Sequence, residues 1–412
     1  MNNLIGITSL SLISFIILFF SLRFPEIFKI MLVALLLRII FLLFGHFVGP
    51  LPGGGEDEVK FELMAWLISQ NGFLNLIDSY GIVEPRFISS KFISFLISIP
   101  YSLFGESKLM AKSMSLLFGM ATVFLAWIVS KKIWGNIIAV KVTWFVALFP
   151  PLILYSTLIM RETYITFFLL VTLHSIIDWV KTDKFKFLTL ALFGFILIML
   201  FHGAMIIGGF VFLTGVFIFY IKKLFKNLKI KKIDAKILIV IFVYIGLIGL
   251  YISNQIKFPY LGNFEKLTNK NIQLERINIS NRGLASYPEW TKVNSIGELF
   301  FKVPIRGVYF IYSPFPWDIK SPTHLIGMFD AFVYIYLSFL IFKNRRVILK
   351  DPALMMILLI LITYILLFGL GVGNFGTGLR HRSKIIILML LLAAPYLKGI
   401  SLLHKFKKLV KF

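Results

Sequence analysis

Two acidic clusters and one basic run hold the residues whose types and spacing could do chemistry in this chain. The first is the stretch 50–72, PLPGGGEDEVKFELMAWLISQNG, in which three consecutive glycines lead into Glu56, Asp57 and Glu58. Glycine lets a backbone approach a ligand closely, and carboxylates at a helix start sit where the helix dipole favours negative charge. A carboxylate held there can take the proton of an attacking hydroxyl, although a solvated loop entering a helix would carry the same acids. The second is Arg161-Glu162 within YSTLIMRETY, 155–164, which reads alone as a local ion pair at a helix start. The third is GVGNFGTGLRHRSK, 371–384, where four glycines adjoin Arg380, His381, Arg382 and Lys384. Glycine-loop amides and guanidinium forks are what a phosphate or pyrophosphate requires, and such a clamp also suits phospholipid head groups.

The elements that must position these groups are membrane helices. Of 412 residues, 58% are hydrophobic and only 15% charged, with a mean hydropathy of +0.89. That composition excludes a soluble domain and defines an integral membrane protein. The net charge of +24 lies in short segments between apolar runs, where it sets topology and meets anionic lipid, so nucleic acid is not an expected partner. With no cysteine, disulfides, thiolate metal sites and cysteine nucleophiles are excluded.

Taken in order, apolar runs at 4–22 and 30–48 enclose Arg23 and Lys29, which should be cytoplasmic, so the acidic stretch is delivered to the external face. The first external loop is expected over 49–86, with an amphipathic helix ending at Gln70 before Asn71-Gly72 and lying on the membrane surface. Residues 87–104 contain Ser89, Ser90, Lys91 and Pro100 and read as a second juxtamembrane or re-entrant segment. A span at 109–130 then leads to Lys131-Lys132, and the helix from Ile137 breaks at Pro150-Pro151, which puts Tyr155 to Tyr164 at the outer surface. The stretch 187–221 is too long for one span and should turn near His202-Gly203; a histidine there needs a partner or water. A long external loop is expected over 253–322. It includes Arg276, Arg282, a glycosylation-type triplet at 278–280, Arg306 and the SPFPWD tract, in which Trp317 serves as interfacial anchor or pocket wall. The basic run 371–384 breaches the positive-inside rule as a last external loop, which invites a functional explanation. The whole of 1–412 reads as one transmembrane domain of roughly 10–12 helices.

Asp57-Glu58 followed in register by Phe61, Ala65 and Gly72, just beyond a spanning segment, resembles the first external loop of the GT-C glycosyltransferases. These polytopic enzymes use polyprenyl-phosphate-linked sugars and include aminoarabinose transferases and protein O-mannosyltransferases. The resemblance implies an all-α GT-C-like bundle with external juxtamembrane helices, and it makes Asp57 the catalytic aspartate of that loop. Glu162 takes the place of the acid of the second external loop, where the family has Asp or a paired acidic motif. Phe201-His202-Gly203 is similar to a turn whose Lys-Gly pair contacts lipid phosphate in the aminoarabinose branch, with His in place of Lys. Arg380, Arg382 and Lys384 match basic residues before the final helices that contact the polyprenyl phosphate.

The expected function is therefore inverting transfer of a sugar from a polyprenyl-phosphate donor to a glycan, lipid or protein acceptor, on the external face of a prokaryotic plasma membrane. Asp57 is the base, with Glu58 and Glu162 beside it in the catalytic set. Arg380, His381, Arg382, Lys384, His202, Arg161 and Arg306 form the phosphate-binding set, and Trp317 and Tyr155 the sugar or acceptor wall. The expected cofactor is none, with a divalent metal shared by Asp57 and Glu162 as the alternative. A polysaccharide polymerase would explain the basic run but not the acidic register. A transporter or flippase would show internal repeats and mid-membrane charges, and no convincing repeat is present.

Overall fold

The computed structural model describes residues 2–82, 88–228, 235–258, 262, 264–269, 274–275, 277–278 and 285–398. Arg276, Arg282, the triplet at 278–280 beyond Asn278 and the C-terminal basic tail lie outside these residues. Along the chain the helices are α1 (Asn2–Ser21), α2 (Pro25–Phe47), α3 (Gly55–Ser69), α4 (Leu76–Ile82), α5 (Ile88–Phe104), α6 (Lys108–Trp134), α7 (Asn136–Leu148), α8 (Pro150–Tyr155) and α9 (Arg161–Thr182). They continue as α10 (Phe185–Phe201), α11 (Ile206–Leu228), α12 (Ala235–Ile252), α13 (Phe264–Thr268), α14 (Leu299–Tyr312), α15 (Pro322–Lys343), α16 (Arg345–Lys350), α17 (Pro352–Gly371), α18 (Phe375–Arg382) and α19 (Ile386–Ala393).

Among the described residues eight helices are long and apolar enough to cross a membrane: α1, α2, α6, α9, α11, α12, α15 and α17. Shorter apolar helices, α7, α10 and α19 among them, lie between these. Many carry large apolar side chains outward, such as Leu12, Phe15 and Phe19 on α1 and Phe242 and Ile245 on α12. Water would penalise that surface, whereas lipid solvates it. The chain is an all-α polytopic integral membrane protein.

The chain divides into two compact units. The first comprises Met1–His174, Leu337–Val347 and Ile386–Phe412. In it α6 packs along α7 and α1, α2 lies on α7 and α6, and α3 pairs along α5. The last pairing gives α5, 17 residues that include Pro100, a partner helix. The second comprises Ser175–Tyr336 and Ile348–Ile385, where α11 packs on α12, α17 and α10, and α14 packs along α17.

Two stretches differ from the sequence expectation. Residues 299–312, assigned to a long loop, form the helix α14, because Arg306, Tyr309 and Phe310 share one buried face while Phe300 and Phe301 stay exposed. The glycine-rich run expected as an open loop forms α18. Asn374 caps it by accepting from Gly376 and Thr377 N–H at 2.9 and 3.4 Å, and Phe375 N–H donates to Ala285 O at 2.8 Å. A good N-cap outweighs the helix cost of the glycines, and the amides expected to cradle phosphate are spent within the protein.

Candidate functional site

In the first unit the acidic run is sorted by helix geometry. Gly53 and Gly55 take φ of +92° and +48°, a left-handed approach that glycine adopts without strain, and α3 starts at once. It ends at Ser69, followed by Gly72 at φ +78°. Successive residues of a helix point about 100° apart. Glu56 is exposed and pairs with Lys60 at 2.8 Å. Glu58 turns inward to Lys112 of α6, Oε1 to Nζ 3.4 Å. Asp57 lies between, half-buried. Below it, Phe61, Ala65, Ile68 and Ser69 are buried, while Val59, Leu63 and Leu67 face outward. The helix is thus amphipathic, with Glu58 on the protein side and Glu56 turned out.

The partners of α3 carry further polar groups. Ser94 of α5 donates to Phe61 O at 2.8 Å, and Tyr101 donates to Glu62 at 3.5 Å. Burial pushes the Glu62 carboxyl above the usual carboxylate range against the opposing pull of Lys108, 3.8 Å away. The Arg161 guanidinium sits 5.3 Å over the Phe61 ring, and neighbouring Glu162 is 1% exposed, so α9 begins against α3 with its acid buried. Tyr155 is buried at the end of α8; a Cβ on Gly53 would come within 3.3 Å of its ring. Asp57, Glu58, Arg161, Glu162 and Tyr155 therefore all belong to one unit.

Two basic residues of this unit escaped the sequence reading. Arg38 in α2 is fully buried and donates to Ala34 O and Ala147 O, both at 3.1 Å. The Ala147 carbonyl would accept from residue 151 in a continuous helix, but Pro151 has no N–H, and Arg38 fills that vacancy. Lys112, beside the acidic run, is the other. The available signal was a lone cation inside an apolar run, which is costly in a membrane and marks a paired or functional residue.

In the second unit three of the expected phosphate ligands converge on Phe368 of α17. His202 lies 5.2 Å from the His381 ring and 5.6 Å from Phe368, centroid to centroid. His381 stacks on Phe368 at 5.0 Å, and Lys384 Nζ is 2.6 Å from His381 Nδ1 and 5.7 Å from the Phe368 centroid. His202 and Lys384 are buried, while His381 and its neighbour Arg380 are half-buried. The turn at 202–205, expected from the length of the apolar stretch, is what aims His202 at α18.

The other two arginines are placed differently. Arg306 is fully buried and donates to five backbone carbonyls, those of Gly369, Thr291, Ile277, Leu370 and Val372, at 3.0–3.3 Å. Arg382 pairs with Asp330 at 2.7 Å and donates to Ile311, Ser313 and Gly327 carbonyls. Both guanidinium groups fasten backbone in this structure. Trp317 stacks on Phe315 (4.9 Å, 10° between planes) and lines an aromatic groove of 440 Å³ with Trp290, Tyr309 and Ile305.

Among the described residues no three His, Asp or Glu side chains group closely enough to hold a metal ion, and Glu58 is committed to Lys112. No step below uses a metal.

No protein-family model matches the sequence, and no curated protein matches it. Among solved structures, the oligosaccharyltransferase of Archaeoglobus fulgidus in its apo form superposes with a TM-score of 0.51 at 15% identity, over 93% of this chain and 51% of that one. The same organism's oligosaccharyltransferase AglB, in complex with an inhibitory peptide and a dolichol-phosphate, gives 0.51 at 13% identity, over 95% and 52%. The chain spans about half the length of these structures. At such identity the likeness speaks to architecture alone: over the part that it spans, the chain shares the fold of these oligosaccharyltransferases.

Proposed function

We propose that the protein is a membrane glycosyltransferase that moves a sugar from a polyprenyl-phosphate carrier to a hydroxyl acceptor on the external face of the membrane. The observation that carries this reading is the gathering of His202 with His381 and Lys384, residues far apart in sequence, around one aromatic ring in a GT-C-like fold. Three basic side chains drawn together in a low-dielectric setting suit a phosphate leaving group. One of the solved structures of similar fold is a complex with a dolichol-phosphate, which supports a carrier of that class.

Asp57 takes the proton of the acceptor hydroxyl as its oxygen attacks the anomeric carbon. The bond from that carbon to the phosphate oxygen breaks, and the carrier leaves as polyprenyl phosphate, its charge met by Lys384, His381 and His202. Direct displacement inverts the anomeric centre. Arg161 and Glu162 hold the start of α9 against α3 in the first unit, and the groove at Trp317 is a candidate acceptor wall in the second.

The test is release of polyprenyl phosphate by the purified, reconstituted protein from a panel of polyprenyl-phosphate sugars. Wild type should release carrier, and Asp57→Asn should lose ~10²–10⁴ in rate while remaining folded. Undiminished transfer by Asp57→Asn would remove the base from the reading. Lengthening of a pyrophosphate-linked glycan, or movement of the lipid without bond change, would replace the transferase by a polymerase or a flippase.

A further inference from the structure

We propose that Lys112 is a positioning residue that sets the place of Asp57 through Glu58, and that Glu58 is an anchor rather than a second catalytic acid. This inference rests on the transferase reading above. Lys112 occupies the second turn of α6, the end of a helix where its dipole disfavours a cation, and its side chain is only 2% exposed. Both circumstances are unfavourable unless anions meet the ammonium. Two oxygens do so: Glu58 Oε1 forms an ion pair at 3.4 Å, from the first turn of α3, and Gly45 O accepts a hydrogen bond at 3.3 Å, from the last turn of α2. A carbonyl in the last turn of a helix lacks its own helical donor. One ammonium thus joins the end of α2, the start of α3 and the start of α6, and it does so on both sides of the glycine-rich connection at 48–54 that delivers Asp57.

Gly54 shows how closely the clasp is set. Its φ of −74° is open to any residue, so no backbone conformation requires glycine here. The requirement is steric: a Cβ on Gly54 would lie 2.5 Å from Glu58 Oε2. With Glu56 turned to solvent and Glu58 drawn inward, the rotation of α3 is fixed, and Asp57 takes the intermediate direction.

The experiment uses the full chain and exploits its lack of cysteine. Asp57→Cys supplies a single thiol whose labelling rate by a maleimide reports the setting of position 57, in the Lys112 and the Lys112→Met backgrounds. In parallel, with Asp57 intact, carrier release is measured for Lys112→Met, Glu58→Gln and the double variant Glu58→Gln/Lys112→Met, alongside thermal melting. We expect Lys112→Met to change the labelling rate and to lower kcat by up to ~10²-fold, as a misplacement of about 1 Å does, with donor KM unchanged. The double variant should regain stability, because removing a buried pair together leaves no uncompensated charge, but it should keep the altered kcat, because the clasp that sets position 57 is gone. A folded double variant with wild-type transfer would show that the pair does not place Asp57, and a raised donor KM in Lys112→Met would put Lys112 in contact with the donor. An unchanged labelling rate would show that Lys112 does not set position 57. Should wild type release no carrier, the transferase reading fails by itself, and the labelling arm still decides whether the clasp exists.

Discussion

Replacing Arg306 separates the two roles open to an arginine in this protein. The guanidinium is fully buried and serves five carbonyls, two of them (Gly369 and Leu370) near the end of α17, where helical donors run out. At about 1.5 kcal/mol for each hydrogen bond to a charged group, the low end of the usual range, five such bonds sum to about 7.5 kcal/mol. Relaxation and water entry reduce this, so a loss of about 3–5 kcal/mol is expected for Arg306→Met, a large share of the 5–15 kcal/mol that typically stabilises a fold. Arg306→Lys should recover little, since a compact ammonium has three donors and none of the planar fork that spans Thr291, Ile277 and Val372. Burial lowers the proton affinity of the guanidinium, which makes the hydrogen bonds to these carbonyls the main compensation for holding charge there. The assay is thermal unfolding in detergent with carrier release measured on the folded fraction. Arg306→Lys with wild-type melting but a raised donor KM would refute the structural role and restore Arg306 as a phosphate ligand.

Other outcomes follow from the same geometry. Lys384→Gln and His381→Ala should each slow carrier release by about 10²–10³, and the double variant should cost little more than the worse single, because the two side chains act as one 2.6 Å pair; additive losses in single-turnover rates would show separate roles. Glu62 tests the buried face of α3. Its carboxyl is held above the usual range, so the folded state binds more protons than the unfolded one, and stability is greatest below the usual carboxylate range and falls as pH rises through it. Glu62→Gln keeps an acceptor for Tyr101 and should flatten the fall of the melting temperature as pH rises through and above the usual carboxylate range; an unaltered slope would contradict the assignment.

The sequence by itself determined class and punctuation. Apolar runs of spanning length, Pro150-Pro151 and Asn71-Gly72 are local signals, and α2, α3, α6, α9, α17 and the turn at His202 fall where those signals put them. The amphipathic order of α3 was likewise legible, since helix period alone divides Val59, Leu63 and Leu67 from Glu58 and Ser69. Which charges do chemistry was not legible. Arg306, Arg382, Lys384 and His381 look alike as basic residues near a boundary, yet the two arginines are spent on carbonyls and Asp330, while Lys384 meets His381 and His381 meets His202. Glu58 and Asp57 are neighbours in sequence and differ only in what α6 places opposite them. A buried charge takes its role from the partners that desolvation forces it to find. Those partners, Gly45 O for Lys112, Ala147 O for Arg38 and Asp330 for Arg382, come from distant segments that only the tertiary packing brings within hydrogen-bond distance.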